Sequence, residues 1–280
     1  MKPARQVRSP GRRVDLHAHT FFSDGQLSPE ELVAHALSRG LVALAITDHD
    51  TVEGIARALV AGGGRIRIVP GIELSTTLDG ADLHLLGYFI DYQSESLRER
   101  LEAYREDRRQ RALAIMARLR ELGVPVDETA VFAAAGPGVV GRPHVAHALV
   151  RGGHVPSVEA AFQQYLGPRG RAFVPRPAVH TEEAIACIRE AGGASVLAHP
   201  GAQFPSVVVE RLKRAGLDGI EVWHPQHGGA AVRRWREEAR RLRLIESGGS
   251  DFHGTHRGAG LGEMPVPERA VEALLDAARR

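Results

Sequence analysis

Leu41-Val42-Ala43-Leu44-Ala45-Ile46-Thr47-Asp48-His49-Asp50 is the stretch that decides the fold of this chain. Its six consecutive apolar residues suit a strand buried on both faces, the habit of parallel sheets. A carboxylate, an imidazole and a second carboxylate follow at once. In parallel α/β barrels, side chains that bind metals or act in catalysis gather where the strands end. One segment therefore predicts both a parallel strand and a chemistry-bearing end.

The flanking sequence extends the pattern. Residues 14–19 read as an opening strand and 29–38 as a helix, with Ser28 as N-cap, Pro29 in the first turn and Gly40 past the end. A second helix over 51–61 closes at Gly62-Gly63-Gly64. Strands over 67–77 and 82–90 flank Asp79-Gly80, a hairpin signal. A long charged amphipathic helix is then predicted over 97–122, with Leu97, Leu101, Tyr104, Leu113, Met116 and Leu119 facing inward. Short helices and Gly/Pro-rich loops fill the rest up to Pro177. Alternation resumes with helices over 181–191 (Thr181 as N-cap), 207–215, 232–242 and 268–278, and strands over 194–198, 219–223 and 244–247. Such alternation predicts a parallel α/β barrel or sheet. The expected organisation is a basic tail over 1–13, a barrel domain over 14–96 and 178–280, and a helical cap subdomain inserted over 97–177.

Composition limits the function classes. The chain has 280 residues, enough for one large barrel or two modest domains. No apolar stretch approaches the roughly 20 residues needed to cross a bilayer, so no membrane is expected. The basic residues at the start lack a following apolar segment and do not read as a secretory signal. A cytoplasmic location is the default, and nothing marks an obligate protein partner. The single cysteine, Cys187, excludes an internal disulfide and a multi-thiolate zinc site.

Chemistry concentrates at the predicted strand ends. His17 and His19 alternate on an extended chain, so both point to one side. Asp24 follows in the next loop. His49 ends the second strand, Glu73 sits in the third, and His84, His199 and His224 come from three more. Asp251 and His253 repeat the spacing of the first pair. Nine or ten candidate ligands exceed what one ion takes, so two or three divalent cations are implied. Without thiolates, the donor set fits manganese, iron, zinc or magnesium, with manganese favoured.

The motifs Val14-Asp15-Leu16-His17-Ala18-His19-Thr20 with Ser23-Asp24-Gly25, Ile46-Thr47-Asp48-His49-Asp50, Gly71-Ile72-Glu73, His84-Leu85-Leu86-Gly87-Tyr88, Ala198-His199-Pro200 and Gly249-Ser250-Asp251-Phe252-His253-Gly254 resemble those of the PHP (polymerase and histidinol phosphatase) superfamily. The resemblance implies a distorted (β/α)7 barrel with a two- or three-metal centre. Within the insert, Gly141-Arg142-Pro143-His144 and the stretch from Tyr165-Leu166-Gly167 to Ala172-Phe173-Val174-Pro175 resemble the stand-alone branch of 3′,5′-nucleoside bisphosphate phosphatases and 5′→3′ exonucleases. The loop Pro168-Arg169-Gly170-Arg171 departs from that branch. By motif position, His17, His19, Glu73 and Asp251 would hold one metal, and Glu73 would bridge to a second held by His84 and His199. Asp24, His49 and His253 would hold the third.

The implied activity is hydrolysis of a phosphomonoester, with water activated by the cations and Asp251 and His224 as catalytic groups, His224 giving a proton to the leaving hydroxyl. Arg142, His144 and Arg176, with His227 nearby, are the expected contacts to substrate. The arginine fork suits a second phosphate. The expected substrate is a phosphorylated nucleotide or a short oligonucleotide. The alternatives are a histidinol-phosphatase-like enzyme, a non-catalytic metal-bound module and a nuclease for longer strands. The last lacks interleaved aromatic residues for stacking, since aromatics make up 5% of the chain.

Overall fold

The computed structural model describes residues 12–136, 138–175, 179–254 and 259–280. Among these, seven strands form one sheet in sequence order: β1 (Arg13–Asp15), β2 (Leu41–Ile46), β3 (Arg67–Leu78), β4 (Ala81–Tyr88), β5 (Ala194–Leu197), β6 (Gly219–Trp223) and β7 (Ile245–Gly248). The β1–β2, β2–β3, β5–β6 and β6–β7 ladders are parallel. β4 runs against both of its neighbours. The tight Asp79-Gly80 turn, with both residues at positive φ, forces that reversal.

The barrel expectation is met only in part. No β1–β7 ladder forms among the described residues. A single parallel bridge, Ala18 to Phe252, brings the segment after β1 beside the segment after β7, with His19 N–H donating to Phe252 O. The sheet is thus mostly parallel and curled. β1 is also shorter than predicted: His17 and His19 lie just beyond it, on extended chain.

Helices cover the sheet much as their signals predict. α1 (Pro29–Ser38) starts at Ser28, whose hydroxyl accepts from Glu31 N–H while the Glu31 carboxylate accepts from Ser28 N–H. α2 (Glu53–Gly62) ends at Gly63 in the left-handed region, as its glycine run requires. Thr181 does not cap its helix as expected. His180 precedes α7 (Thr181–Glu190), and the buried Thr181 hydroxyl donates to Thr77 O, tying the helix to β3.

α3 (Glu95–Glu121) is a 27-residue helix that serves two apolar clusters. Leu97 and Leu101 pack into the core under the sheet. Ala112, Ile115, Met116 and Leu119 pack with Val131, Val145, Leu149 and Leu166 in a second cluster. Of the expected inward residues, Tyr104 and Leu113 are only partly buried, and Ala112 and Ile115 take buried places instead. The second cluster is completed by α4 (Glu128–Ala135), α5 (Arg142–Arg151), α6 (Val158–Ala161) and a π-helical turn, Phe162–Leu166. Beyond it, α8 (Ser206–Ala215), α9 (Gly229–Leu242) and α10 (Arg269–Ala278) flank the later strands. No helix among the described residues is long and apolar enough to cross a membrane.

Candidate metal centre

Glu73 is the hub of the site. It lies mid-strand in β3, not at a strand end, with side-chain exposure of 1%. Its Oε1 is 2.8 Å from His84 Nδ1 and 3.0 Å from His199 Nε2. Its Oε2 is 3.1 Å from His17 Nε2, 3.2 Å from His19 Nε2 and 3.3 Å from His49 Nδ1. One carboxylate thus faces five imidazoles. The antiparallel β3–β4 register makes this possible: Ser75 pairs with His84 and Glu73 with Leu86, so Glu73 and His84 share one sheet face as diagonal neighbours. His84 therefore reaches the site from the first half of a reversed strand.

The donors form four overlapping groups, three of them centred on the motif residues and a fourth, His17, Glu221 and His224, behind them. His17, His19, Glu73 and Asp251 make the first, with Asp251 Oδ1 at 3.3 Å from His17 Nε2 and 3.1 Å from His19 Nε2. Donors arranged tetrahedrally at bond lengths of about 2.0–2.1 Å stand about 3.3–3.4 Å apart, close to these spacings. His49, Glu73 and His84 make the second, which His199 joins through Glu73. His19, Asp24, His49 and His253 make the third, with His253 Nε2 3.1 Å from Asp24 Oδ1. The overlap is larger than the motif positions imply: His19 sits in two groups, and so does His49.

Several observations fit this set to divalent cations. Asp24 Oδ1 and His49 Nδ1 are buried without a hydrogen bond, although each has ligand-type neighbours. The His253 Nδ1–H donates to Asp251 O at 2.8 Å, which leaves Nε2 to ligate. The electrostatics are those of a site built around positive charge. Burial pushes the His19 imidazole down, yet hydrogen bonds to Asp251 and Glu73 lift it to about 10. His17 is held well above the usual imidazole range, against burial, by Asp251, Glu221 and Glu73. Burial drives His49 down to about 3. Glu73 and Asp251, though buried, are held well below the carboxylate range by the surrounding imidazoles.

The other expected residues divide. His224 is buried, with Nε2 3.3 Å from Asp251 Oδ2; its Nδ1 accepts from Gln226 N–H, so Nε2 carries the proton. Arg142 and His144 line a cavity that Asp24, His49 and His84 also line. His227 does not join them: its Nδ1–H donates to Val222 O and its Nε2 accepts from Gly201 N–H. Arg176 lies outside the described residues.

Four supporting residues gain no role from the sequence, although Asp15 and Asp48 lie within its motifs. Asp48 accepts from Thr20 N–H, the Thr20 hydroxyl and the Ser23 hydroxyl, fixing the loop that carries Asp24. Asp15 accepts from Ser250 N–H and Gly262 N–H, anchoring the loop that bears Asp251. Glu221 accepts from His17 Nδ1–H and from His199 N–H. Arg108 pairs with the buried Asp50. Asp48 follows the apolar run of β2 at a chemistry-bearing end, and Asp15 and Glu221 are charged residues inside apolar strand runs; Arg108 carries no signal beyond its place on a charged helix.

A mostly parallel α/β sheet presenting overlapping imidazole–carboxylate groups for divalent cations, beside a cationic cavity, is the frame of a metal-dependent hydrolase. A family model of the PHP domain matches residues 15–130. A 3′,5′-nucleoside bisphosphate phosphatase of Chromobacterium violaceum is 34% identical, with 88% of each chain covered. The 5′-3′ exoribonuclease Rnm of Escherichia coli is 36% identical over 85% of this chain and 84% of the relative. A solved structure from Bifidobacterium adolescentis, described as a candidate metal-dependent phosphoesterase, superposes with a TM-score of 0.88 at 31% identity, covering 96% of this chain and 98% of the other. This chain belongs to the PHP domain family.

Proposed function

We propose that the chain hydrolyses phosphomonoesters of nucleotides, removing the 3′-phosphate of nucleoside 3′,5′-bisphosphates. Trimming of short RNA in the 5′→3′ direction is the second reading of the same site. The carrying observation is the shared cavity. Its lining combines Asp24, His49 and His84 with Arg108, Arg111, Arg142 and His144 and with apolar Ile115 and Phe162. A substrate with one phosphate at the metal-binding donors, the flat face of a nucleobase against apolar side chains and a second phosphate on guanidinium groups matches that combination. Histidinol phosphate, which carries an amine in place of a second anion, matches it less well.

In this reading His17, His19, Glu73 and Asp251 hold one divalent ion, Glu73, His84 and His199 a second, and Asp24, His49 and His253 a third. The donor chemistry suits manganese, iron, zinc or magnesium, and manganese is the ion we propose. When bound, the cations supply charge neutralisation of the phosphate and a lowered pKa for the attacking water. In this reading His224 would give the leaving hydroxyl a proton from Nε2 of the imidazolium, the form reached when Nδ1 takes up a proton in place of the Gln226 N–H contact, and Asp251 Oδ2 orients that ring. Burial keeps His144 neutral at physiological pH, and its Nδ1 accepts from Gly141 N–H, so its remaining N–H is a donor. Arg142 offers a bidentate fork, at present shared with Asp82 at 3.3 Å. We read residues 97–177 as the cap over this cavity; Arg176, which lies outside the described residues, remains a substrate contact expected from the sequence alone.

Turnover of adenosine 3′,5′-bisphosphate, 5′-phosphorylated oligoribonucleotides and histidinol phosphate, each with added manganese, tests the reading. A preference for the bisphosphate or the oligoribonucleotide is expected. No turnover by folded, metal-loaded protein would sink it. Arg142→Ala should cost more activity on the bisphosphate than on an aryl phosphate; equal losses refute the clamp.

A further inference from the structure

Glu221 is a carboxylate with no exposure, set in the apolar run Gly219-Ile220-Glu221-Val222-Trp223 of β6. A buried charge persists only where partners compensate its desolvation. Its two oxygens divide their work. Oε1 lies 3.1 Å from His17 Nδ1, and Oε2 accepts from the backbone N–H of His199 at 2.7 Å. His199 sits at φ +24°, a backbone conformation that L-residues avoid and that surrounding structure must enforce.

We infer that Glu221 is a positioning residue for the metal centre, acting on two donors at once. With His17 Nε2 turned toward Glu73 and Asp251, where a cation would displace its proton, the proton that the ring keeps belongs on Nδ1, where Glu221 accepts it. This fixes both the tautomer and the ring plane. The second oxygen pins the strained His199 backbone, so that His199 Nε2 meets the far side of Glu73. One side chain in β6 thereby sets the distance between donors that arrive from β1 and β5. The inference rests on the metal-binding reading above.

His17, Glu221 and His224 also place donor atoms within 4.8 Å of one another, as a further ion site would. Hydrogen bonding argues against that use. His17 would have to ligate through both nitrogens, while His224 has Nδ1 committed to Gln226 N–H and its protonated Nε2 facing Asp251. Glu221 bonds His17 and His224 bonds Asp251, so the three side chains support the donors of the centre from behind.

The test compares the full wild-type chain with Glu221→Gln and Glu221→Ala. Each is stripped of metal and titrated with cobalt(II) against a competing chelator, reading affinity, stoichiometry and the visible cobalt absorption. Circular dichroism and urea unfolding of the metal-free proteins report the fold. Loss of an outer partner of this kind costs about 10–100-fold in metal affinity. That loss, with a changed cobalt spectrum and unchanged stoichiometry at saturation, is the expected result. Glu221→Gln keeps the shape but can accept only one of the two N–H groups, so it carries the test if the alanine variant does not fold. Unchanged affinity and spectrum in a folded variant overturn the inference. Loss of one whole equivalent, with the remaining affinities intact, overturns it in favour of a further ion site. A wild type that binds no cobalt overturns the metal reading itself, and the inference with it.

Discussion

Replacing Arg108 with alanine should destabilise the protein by roughly 1.5–3 kcal/mol, because it removes a charge-assisted hydrogen bond to a buried carboxylate. Arg108 lies on α3 and donates through Nε to Asp50 Oδ2 at 2.6 Å and through Nη2 to the Ser75 hydroxyl at 2.8 Å. Asp50 has no side-chain exposure, and Arg108 has 15%. A hydrogen bond to a charged group contributes roughly 1.5–3 kcal/mol. Ser75 N–H still donates to Asp50 Oδ1 in the variant, so the loss stays within that range. Asp50 also sits at φ +52°, which asparagine tolerates better than most residues, so Asp50→Asn probes the same contact without straining that backbone. Because the two side chains touch, the double variant should cost less than the sum of the two single losses, by roughly 0.5–3 kcal/mol. Urea unfolding of metal-free protein, followed by circular dichroism, measures all three variants. An Arg108→Ala variant within about 0.5 kcal/mol of wild type, or losses that simply add in the double variant, would refute this account of how α3 is fastened to the site.

Gly249→Ala should destabilise by roughly 3 kcal/mol or more and abolish metal binding, because an added Cβ would lie 2.4 Å from both N and Cβ of His17; an intact melting curve would contradict it. Loading the metal-free protein at about pH 8 should release roughly one to two protons per chain, since His17 and His19 are held protonated there and must lose a proton to ligate. Calorimetry in buffers of differing ionisation enthalpy reads that number, and zero release refutes it. The sign for stability follows: His19 is raised above its free value, so its contribution to the metal-free fold is full below about pH 6.5 and is lost as pH rises through about 10. His224→Gln should lower kcat about 10²–10⁴-fold on substrates with an alkoxide leaving group. It should spare p-nitrophenyl phosphate, whose leaving group needs no proton; equal losses on both remove His224 from the proton-donor role.

Much of the layout was legible because local chemistry dictates it. The Ser28–Glu31 box and Pro29 set the start of α1, and the glycine run after Ala61 ended α2. The apolar run of β2 made a buried parallel strand. Thr181 misled because a hydroxyl before a helix can cap it or bond elsewhere, and here the β3 backbone offered Thr77 O. Likewise Leu113 gave way to Ala112 and Ile115, since helical period marks a face but not which cluster that face meets. His227 shows the same limit, its two nitrogens being taken by backbone groups that only packing brings near.

The sequence by itself determined which donors the chain could bring to a site. Imidazoles and carboxylates placed beside or within apolar strands have one shared direction in which to project. Only the tertiary structure decided how those donors are divided. The reversed β4 turns His84 toward Glu73, the curl of the sheet brings Asp251 beside His17 and His19, and Glu221 orients a ring 204 positions away in sequence. Those relations depend on strand direction and on contacts between distant segments. No local pattern encodes them, because a hydrogen bond forms only between groups that folding has already placed together.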